Sequence, residues 1–199
     1  NADIIIEISY TDLETGEPAL THTRVALQSG KHVVTTNKGP IALYFPELID
    51  LAHKHNVKIG VEGTVMSGTP VLRVGMDIMQ GAGITKVEGI LNGTTNYIIT
   101  QMETGMSYSE ALLQAQGLGY AEANPDGDVK GHDAAGKIVI LANLLMNVPL
   151  RMQDVSCTGI THITEKDINA ASKEKKRWKL IGVLDKTDNG CEARVQPEL

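Results

Sequence analysis

Two cysteines in 199 residues, Cys157 and Cys191, are too few for a disulfide framework, and with no C-x-x-C pair both read as reduced thiols. A basic excess is missing too: 18 Lys and Arg stand against 24 Asp and Glu, a formal net charge of −6. That balance leaves no electrostatic footprint for nucleic acid or an anionic lipid surface. Apolar runs such as Ile138 to Met146 fall well short of the roughly 20 residues a membrane span needs. No basic segment with an apolar run and a cleavage site opens the sequence. The expectation is a soluble, cytoplasmic protein without nucleic-acid or membrane partners. What remains is ordinary globular material, 42% hydrophobic and 21% charged, long enough for one good core or two smaller ones sharing an interface. No internal repeat or low-complexity linker interrupts it.

The chain starts with Asp3-Ile-Ile-Ile-Glu-Ile, a β-branched run, followed by polar turn residues, a helical stretch to Gly30, and Lys31-His-Val-Val-Thr-Thr. Two strands of the buried type flanking a helix suggest a parallel βαβ unit covered on both faces. A second helix from about Tyr44 to Asn56 and a strand at Val57-Lys-Ile-Gly-Val repeat the pattern. Residues 1–61 therefore read as part of a doubly wound, Rossmann-like parallel sheet. Its usual opening, a strand running into G-x-G-x-x-G, is absent. Gly81-Ala-Gly-Ile-Thr-Lys lacks the third glycine and leads into an apparent strand, Thr85 to Leu91, which rejects it as a phosphate loop.

From Glu62 the texture changes. A Gly/Ser/Thr-rich turn precedes a helix beginning at Pro70, the Thr85 to Leu91 strand, and helices from about Thr94 and Ser107. Ser107-Tyr-Ser-Glu110 has capping-box spacing, which fixes the last of these starts. A loop with Pro125 and Gly127 leads to an apolar helix from about Gly131 to Met146. A helix after Thr164 and strand-like runs at Trp178 to Leu184 and Cys191 to Val195 complete an α+β second domain, residues 62–199.

The apolar helix is the most informative segment. Asp133 and Lys137 lie one turn apart on it, a spacing that is usually a solvated ion pair worth a few tenths of a kcal/mol. Two charges on an otherwise greasy helix need mutual satisfaction or a polar cavity, and a cavity makes them functional candidates. Upstream, Gly119-Tyr-Ala-Glu-Ala-Asn-Pro-Asp-Gly-Asp128 is either a solvated acidic loop or a site where Glu122 meets a cationic ligand group and Gly119 admits close backbone approach. Lys38, in Thr35-Thr-Asn-Lys-Gly, follows a strand where open α/β sheets bind ligands, although a surface lysine fits the spacing equally well. Glu62-Gly-Thr-Val-Met-Ser-Gly-Thr-Pro could aim carbonyl oxygens and a carboxylate at a hard cation, but a plain helix entry with Pro70 in the first turn explains most of the same residues. The scattered histidines supply no transition-metal pattern, and no nucleophile elbow is present.

Taken together, Thr36-Asn-Lys-Gly after a strand, Glu88-Gly-Ile-Leu-Asn-Gly-Thr-Thr-Asn-Tyr, and Gly119-Tyr-Ala-Glu-Ala-Asn-Pro-Asp-Gly-Asp-Val-Lys-Gly-His-Asp-Ala-Ala-Gly-Lys resemble the homoserine dehydrogenase family, in its order. The combination is highly specific and runs over essentially the whole chain, from partway through the family's nucleotide-binding domain to short of the segment that returns to it. The resemblance implies NAD- or NADP-dependent interconversion of L-homoserine and L-aspartate 4-semialdehyde. It makes Lys137 the proton donor to the aldehyde oxygen, with Lys38 sharing the transfer. It gives substrate binding to Glu122 and Asp133, and the cofactor to Thr36, Asn37, Lys38 and Gly119. A monovalent cation, sodium, falls to Glu62, Val65, Ser67 and Thr69, largely through carbonyl oxygens, and the second domain forms a homodimer. A lysine is cationic at neutral pH and so a ready donor. Hydride transfer belongs to the nicotinamide, which leaves the protein to orient, protonate and stabilise charge. Without a glycine-rich first turn to receive a pyrophosphate, this polypeptide by itself is expected to bind dinucleotide poorly. An inactive truncated enzyme, or another NAD(P)-linked dehydrogenase of a small amino-acid-derived aldehyde, stay open as alternatives.

Overall fold

The computed structural model describes residues 2–188 and 190–199. The chain divides into two compact units. One runs to Thr85 and takes in Val139–Met152; the other comprises Lys86–Ile138 and Gln153–Leu199. The boundary read at 61/62 falls inside the first of them. No helix among the described residues is long and apolar enough to cross a membrane.

The first unit is built on a parallel sheet of β1 (Ile4–Glu7), β2 (His32–Thr35) and β3 (Ile59–Gly60), in that order. Ile4 pairs with His32 and Glu7 with Thr35, so these two strands end together. Helix α1 (Ala19–Gln28) joins β1 to β2, and α2 (Lys38–Lys54) joins β2 to β3. Leu27, Ile41 and Leu48 are fully buried in their core. The expected cover on both faces of the sheet is found on one only. Val33 is buried, whereas Ile6 is 69% and Val34 46% exposed.

Helix α2 begins six residues before the Tyr44 start read from sequence. The Asn37 side chain caps it by accepting from the Gly39 N–H at 3.1 Å, and Pro40 falls in the first turn, where its missing N–H goes unneeded. Tyr44 itself is non-helical (φ −136°, ψ 16°), just before Pro46. The sequence pattern registers where the helix resumes after that break. The helix read from Pro70 is also interrupted: α3 (Val71–Arg73) passes directly into a π-helical turn, Val74–Ile78. There Gly75 lies so close to Leu145 that a Cβ would stand 2.6 Å from its Cδ2.

The second unit carries a mixed sheet of β4 (Lys86–Gly89), β5 (Ser156–Cys157), β6 (Lys179–Thr187) and β7 (Gly190–Glu198), ordered β4-β6-β7-β5. β6 is antiparallel to both β4 and β7, and β5 runs parallel to β7. With it go α4 (Gly93–Glu103), α5 (Tyr108–Gly117), α6 (Asp126–Val129), α8 (Glu165–Lys173) and the first half of α7 (His132–Leu145), which belongs to this unit as far as Ile138. The Ser107 capping box is formed as read, with Glu110 reaching back to the Ser107 N–H at 2.8 Å. An equivalent box at Thr164 and Asp167 starts α8.

Gly182 of β6 permits close packing beneath the β4–α4 loop. A Cβ there would stand 2.7 Å from Leu91 Cδ1 and 3.1 Å from Ile138 Cδ1. Its bare backbone lets the β4–α4 loop and α7 settle together on the sheet, and the residues next to those two contacts are Asn92 and Lys137.

Candidate active site

Helix α7 is apolar almost throughout: Ala134, Ala135, Ile138, Val139, Ile140, Leu141 and Ala142 are at most 2% exposed. Asp133 and Lys137 interrupt it, and they are not solvated. Their side chains are 17% and 15% exposed and 2.7 Å apart. The Lys137 ammonium also donates to the Leu91 carbonyl at 2.6 Å. Residue 91 is where the chain has left β4, two residues sooner than the strand read from sequence.

The next residue, Asn92, is 5% exposed and binds two carboxylates at once. Its Nδ2 donates to Asp128 Oδ1 at 2.6 Å and to Asp133 Oδ2 at 3.0 Å. Asp128, in α6, is the half-buried member of the group. Burial pushes its carboxyl above the ordinary aspartate value and the neighbouring charge of Asp133 adds to the rise. The hydrogen bond from Asn92 pulls the other way without offsetting it. The cluster therefore holds two carboxylates against one ammonium, a balance suited to a cationic ligand group.

The loop after α5 is fixed from the same side. The Thr94 hydroxyl donates to the Tyr120 carbonyl at 2.6 Å, Tyr97 meets Tyr120 edge-on at 5.0 Å, and Gln116 Nε2 donates to the Glu122 carbonyl at 3.0 Å. Gly119 sits at the end of α5 with φ +77° and open space where a Cβ would be. Its identity is accounted for by the left-handed helix stop, and the space above it is compatible with backbone approach. The Glu122 side chain is exposed. Among the described residues no hydrogen bond or ion pair joins its carboxylate to the Asp128, Asp133 and Lys137 cluster.

In the first unit the strand ends form a second polar network. Asn37 is 2% exposed, and its side chain donates to the Ser9 and Tyr10 carbonyls at 3.1 and 2.9 Å while capping α2. Its backbone N–H donates to the Thr35 hydroxyl at 2.9 Å. Asn37 thus ties the two loops at the carboxyl ends of β1 and β2. Thr36, beside that tie, is exposed and packs over Gly63, whose missing Cβ would fall 2.5 Å from Thr36 Cγ2. Lys38 is half-buried at the first position of α2.

Glu7, which the sequence did not single out, is the buried acid of this network at 4% exposure. It accepts from the Ser9 N–H at 2.9 Å, from the Ser9 hydroxyl, and from Thr35 Oγ1 at 3.4 Å, with His22 Nδ1 3.5 Å away. Burial pushes its carboxyl up, but the Ser9 and His22 contacts outweigh burial and hold it below the ordinary glutamate value.

The proposed cation ligands fall in the turn after β3. Glu62 accepts the Leu72 and Arg73 N–H groups at 3.1 and 2.9 Å, so its carboxylate caps α3. Val65 is fully buried, and Met66 and Ser67 are both left-handed, with φ 60° and 54°. The turn doubles back far enough for Thr69 N–H to reach the Met66 carbonyl at 3.0 Å.

Asn92, Asp128 and the Leu91 carbonyl fall within motifs quoted from the sequence but were given no site role there, because their contacts reach across 36 to 46 positions. An Asn immediately before Gly93-Thr-Thr is a helix-capping signal, which marks the start of α4 but says nothing of what the rest of the amide does.

A family model described as homoserine dehydrogenase matches residues 70–199. The chain is 52% identical, over all 199 residues, to an NAD(+)-dependent homoserine dehydrogenase of Pseudomonas canavaninivorans, and spans 56% of that relative's length. A crystal structure of a homoserine dehydrogenase from Thiobacillus denitrificans superposes with a TM-score of 0.92 at 35% identity, covering 99% of this chain and 45% of that one. A hyperthermophilic archaeal homoserine dehydrogenase solved in complex with NADPH gives 0.81 at 29% identity, covering 98% and 55%. The chain thus spans about half the length of these relatives. Because the match takes in both units, and the α7 pair and its partners lie within the segment that the family model covers, the chain belongs to the homoserine dehydrogenase family.

Proposed function

We propose that this chain serves an NAD(P)-dependent oxidoreductase that interconverts L-homoserine and L-aspartate 4-semialdehyde. The observation that carries the proposal is the half-sequestered ion pair on α7: an ammonium held at 2.7 Å from Asp133 and 2.6 Å from the Leu91 carbonyl on an otherwise apolar helix. The nicotinamide supplies hydride transfer at the aldehyde carbon. Lys137 gives its proton to the carbonyl oxygen as the alcohol forms, and takes it back in the oxidising direction. Two of its three N–H donors are already aimed within the protein, which fixes where the ammonium stands. Asp133 and Asp128 provide the negative surface that a substrate α-ammonium requires, and Glu122, exposed on the tethered loop, adds a further carboxylate for that group.

Thr36, Asn37 and Lys38 are assigned to the cofactor, since they occupy the turn from a parallel strand into a helix N-terminus, the part of an open α/β sheet where ligands bind. Lys38 also shares in proton transfer. Gly119 is assigned to the same ligand through its open backbone. Glu62, Val65, Ser67 and Thr69 are assigned to a sodium ion, supported by the doubled-back, left-handed turn and by one carboxylate beside it. The working form is a cytoplasmic homodimer, joined through the second unit.

The test is homoserine-dependent reduction of NAD+ or NADP+ by the intact protein. Lys137→Ala is expected to lose ~10²-fold or more in kcat, the range of a lost general acid, with an unchanged circular dichroism spectrum. Near wild-type kcat in that variant would show that the proton comes from elsewhere.

A further inference from the structure

We infer that Asn92 is the positioning residue of this site: its carboxamide clamps the Asp128 and Asp133 carboxylates together and so sets the direction from which Asp133 holds the Lys137 ammonium. The inference deepens the dehydrogenase reading and rests on it. The orientation of the amide is settled by its partners. Oδ1 accepts the Thr95 backbone N–H at 2.8 Å, a group that can only donate, and the Thr95 hydroxyl at 2.9 Å. Both Nδ2 hydrogens then face the acids, and the structure gives each one carboxylate, at 2.6 and 3.0 Å. One oxygen and two hydrogens are all that a carboxamide offers, and all are engaged.

Capping does not explain this choice of residue. Asn, Asp and Ser cap helix N-termini about equally well, and any of them could accept from Thr95. Only Asn combines that acceptor with two donors on a short stem. Two neighbouring carboxylates raise one another's proton affinity and drift apart unless donors hold them. A neutral amide holds them without cancelling the negative charge the site presents. The same two-residue segment reaches the third charged group, because the Leu91 carbonyl accepts from Lys137. Leu91 is seated over Gly182, where any side chain would push it outward.

Asn92→Asp and Asn92→Ser keep the capping oxygen and remove the amide's two donors, and a serine hydroxyl offers only one hydrogen on a stem one bond shorter. In the intact enzyme both are expected to fold, Asn92→Asp with a lowered unfolding midpoint because it adds a third carboxylate, while kcat for homoserine oxidation falls about 10²-fold in each, the scale of a misplaced catalytic group. KM should move much less. The two variants should part in their pH dependence. Relative to wild type, Asn92→Asp should recover as pH is lowered, because a protonated aspartic acid regains one donor, whereas Asn92→Ser should stay flat. Wild-type kcat and pH profile in both variants would leave only a cap and overturn the proposal, and so would loss of the folded state in both. If the wild-type protein fails to oxidise homoserine, the functional reading fails separately. The clamp is then read by carboxyl NMR: Asp128 should titrate at higher pH in Asn92→Ser than in wild type, and an unmoved titration overturns the clamp.

Discussion

Each unit of the molecule buries a carboxylate, and the two are treated in opposite ways. Glu7, at the end of β1, is the more buried and collects the Ser9 amide, the Ser9 hydroxyl and Thr35, with His22 alongside. Its carboxyl lies below the ordinary value despite burial. Asp128, in α6, is only half-buried but shares Asn92 with a second acid, and its carboxyl lies above the ordinary value. At Glu7 the donors together outweigh burial, whereas at Asp128 burial and the like charge of Asp133 outweigh the donors. A carboxylate with its lone pairs filled holds structure. One short of donors and next to another negative charge is ready to accept a proton or a ligand ammonium, and it is the second kind that borders Lys137.

Removing each acid in turn is the most direct way to break the contrast. Glu7→Ala is expected to cost about 3 kcal/mol at pH 7, since charge-assisted hydrogen bonds are lost and buried donors are orphaned. Urea unfolding followed by circular dichroism would measure it. The pH dependence has a definite sign. A lowered folded value means that the unfolded chain binds the proton more tightly. Glu7 therefore contributes fully above its ordinary value near 4.5, and the contribution is lost as pH falls through the lowered folded value. The gap between wild type and variant should narrow across that acid window. A gap independent of pH would mean that Glu7 acts by packing alone.

The glycines extend the comparison. A Cβ on Gly39 would run into the backbone carbonyl of Asp12, beside the network that Glu7 and Asn37 hold shut. Gly119 has empty space around it and only a left-handed φ of +77° to protect. Gly39→Ala should therefore cost about 2 kcal/mol through overpacking against backbone that has little room to yield, and Gly119→Ala about 1 kcal/mol through backbone strain alone. Equal effects in urea unfolding would show that the second unit's loop is as tightly packed as the first unit's strand ends.

These differences also mark how far sequence carried the fold and the site. Patterns confined to one turn or one strand were legible. The Ser107 to Glu110 box, the apolar α7 with its Asp133 and Lys137 one turn apart, and the β-branched character of β1 and β2 all follow from neighbours within a few positions. The kink at Tyr44 was half legible: Pro46 breaks the pattern visibly, but the preceding helix start depends on the Asn37 side chain turning back to Gly39. The Asn92 to Asp128 and Asn92 to Asp133 contacts join positions 36 and 41 residues apart, and no local periodicity encodes them. Glu7 was hidden for a different reason. In a β-branched run a single acid reads as the solvent-facing member of an alternation, and only the Ser9 and Thr35 donors reveal that it points inward.

The smallest expected change in stability is also the sharpest test, Asp128→Asn. The raised carboxyl of Asp128 means that the folded state binds its proton more tightly than the unfolded chain does. Wild-type stability therefore declines as pH rises from the ordinary aspartate value near 3.8 through the raised folded value, and it stays lower beyond. A neutral amide keeps an oxygen for Asn92 and escapes that decline, since it also ends the repulsion with Asp133. The variant should match wild type in acid and exceed it by roughly 0.5 kcal/mol at pH 7, a size typical of one partly solvated charge interaction. On the proposed reading homoserine turnover should fall over the same range, because one of the three carboxylates assigned to the substrate ammonium is lost. Higher stability with lower activity would place Asp128 among residues retained for function at a cost to the fold. A stability loss like that of Glu7→Ala would show that the two buried acids do the same work.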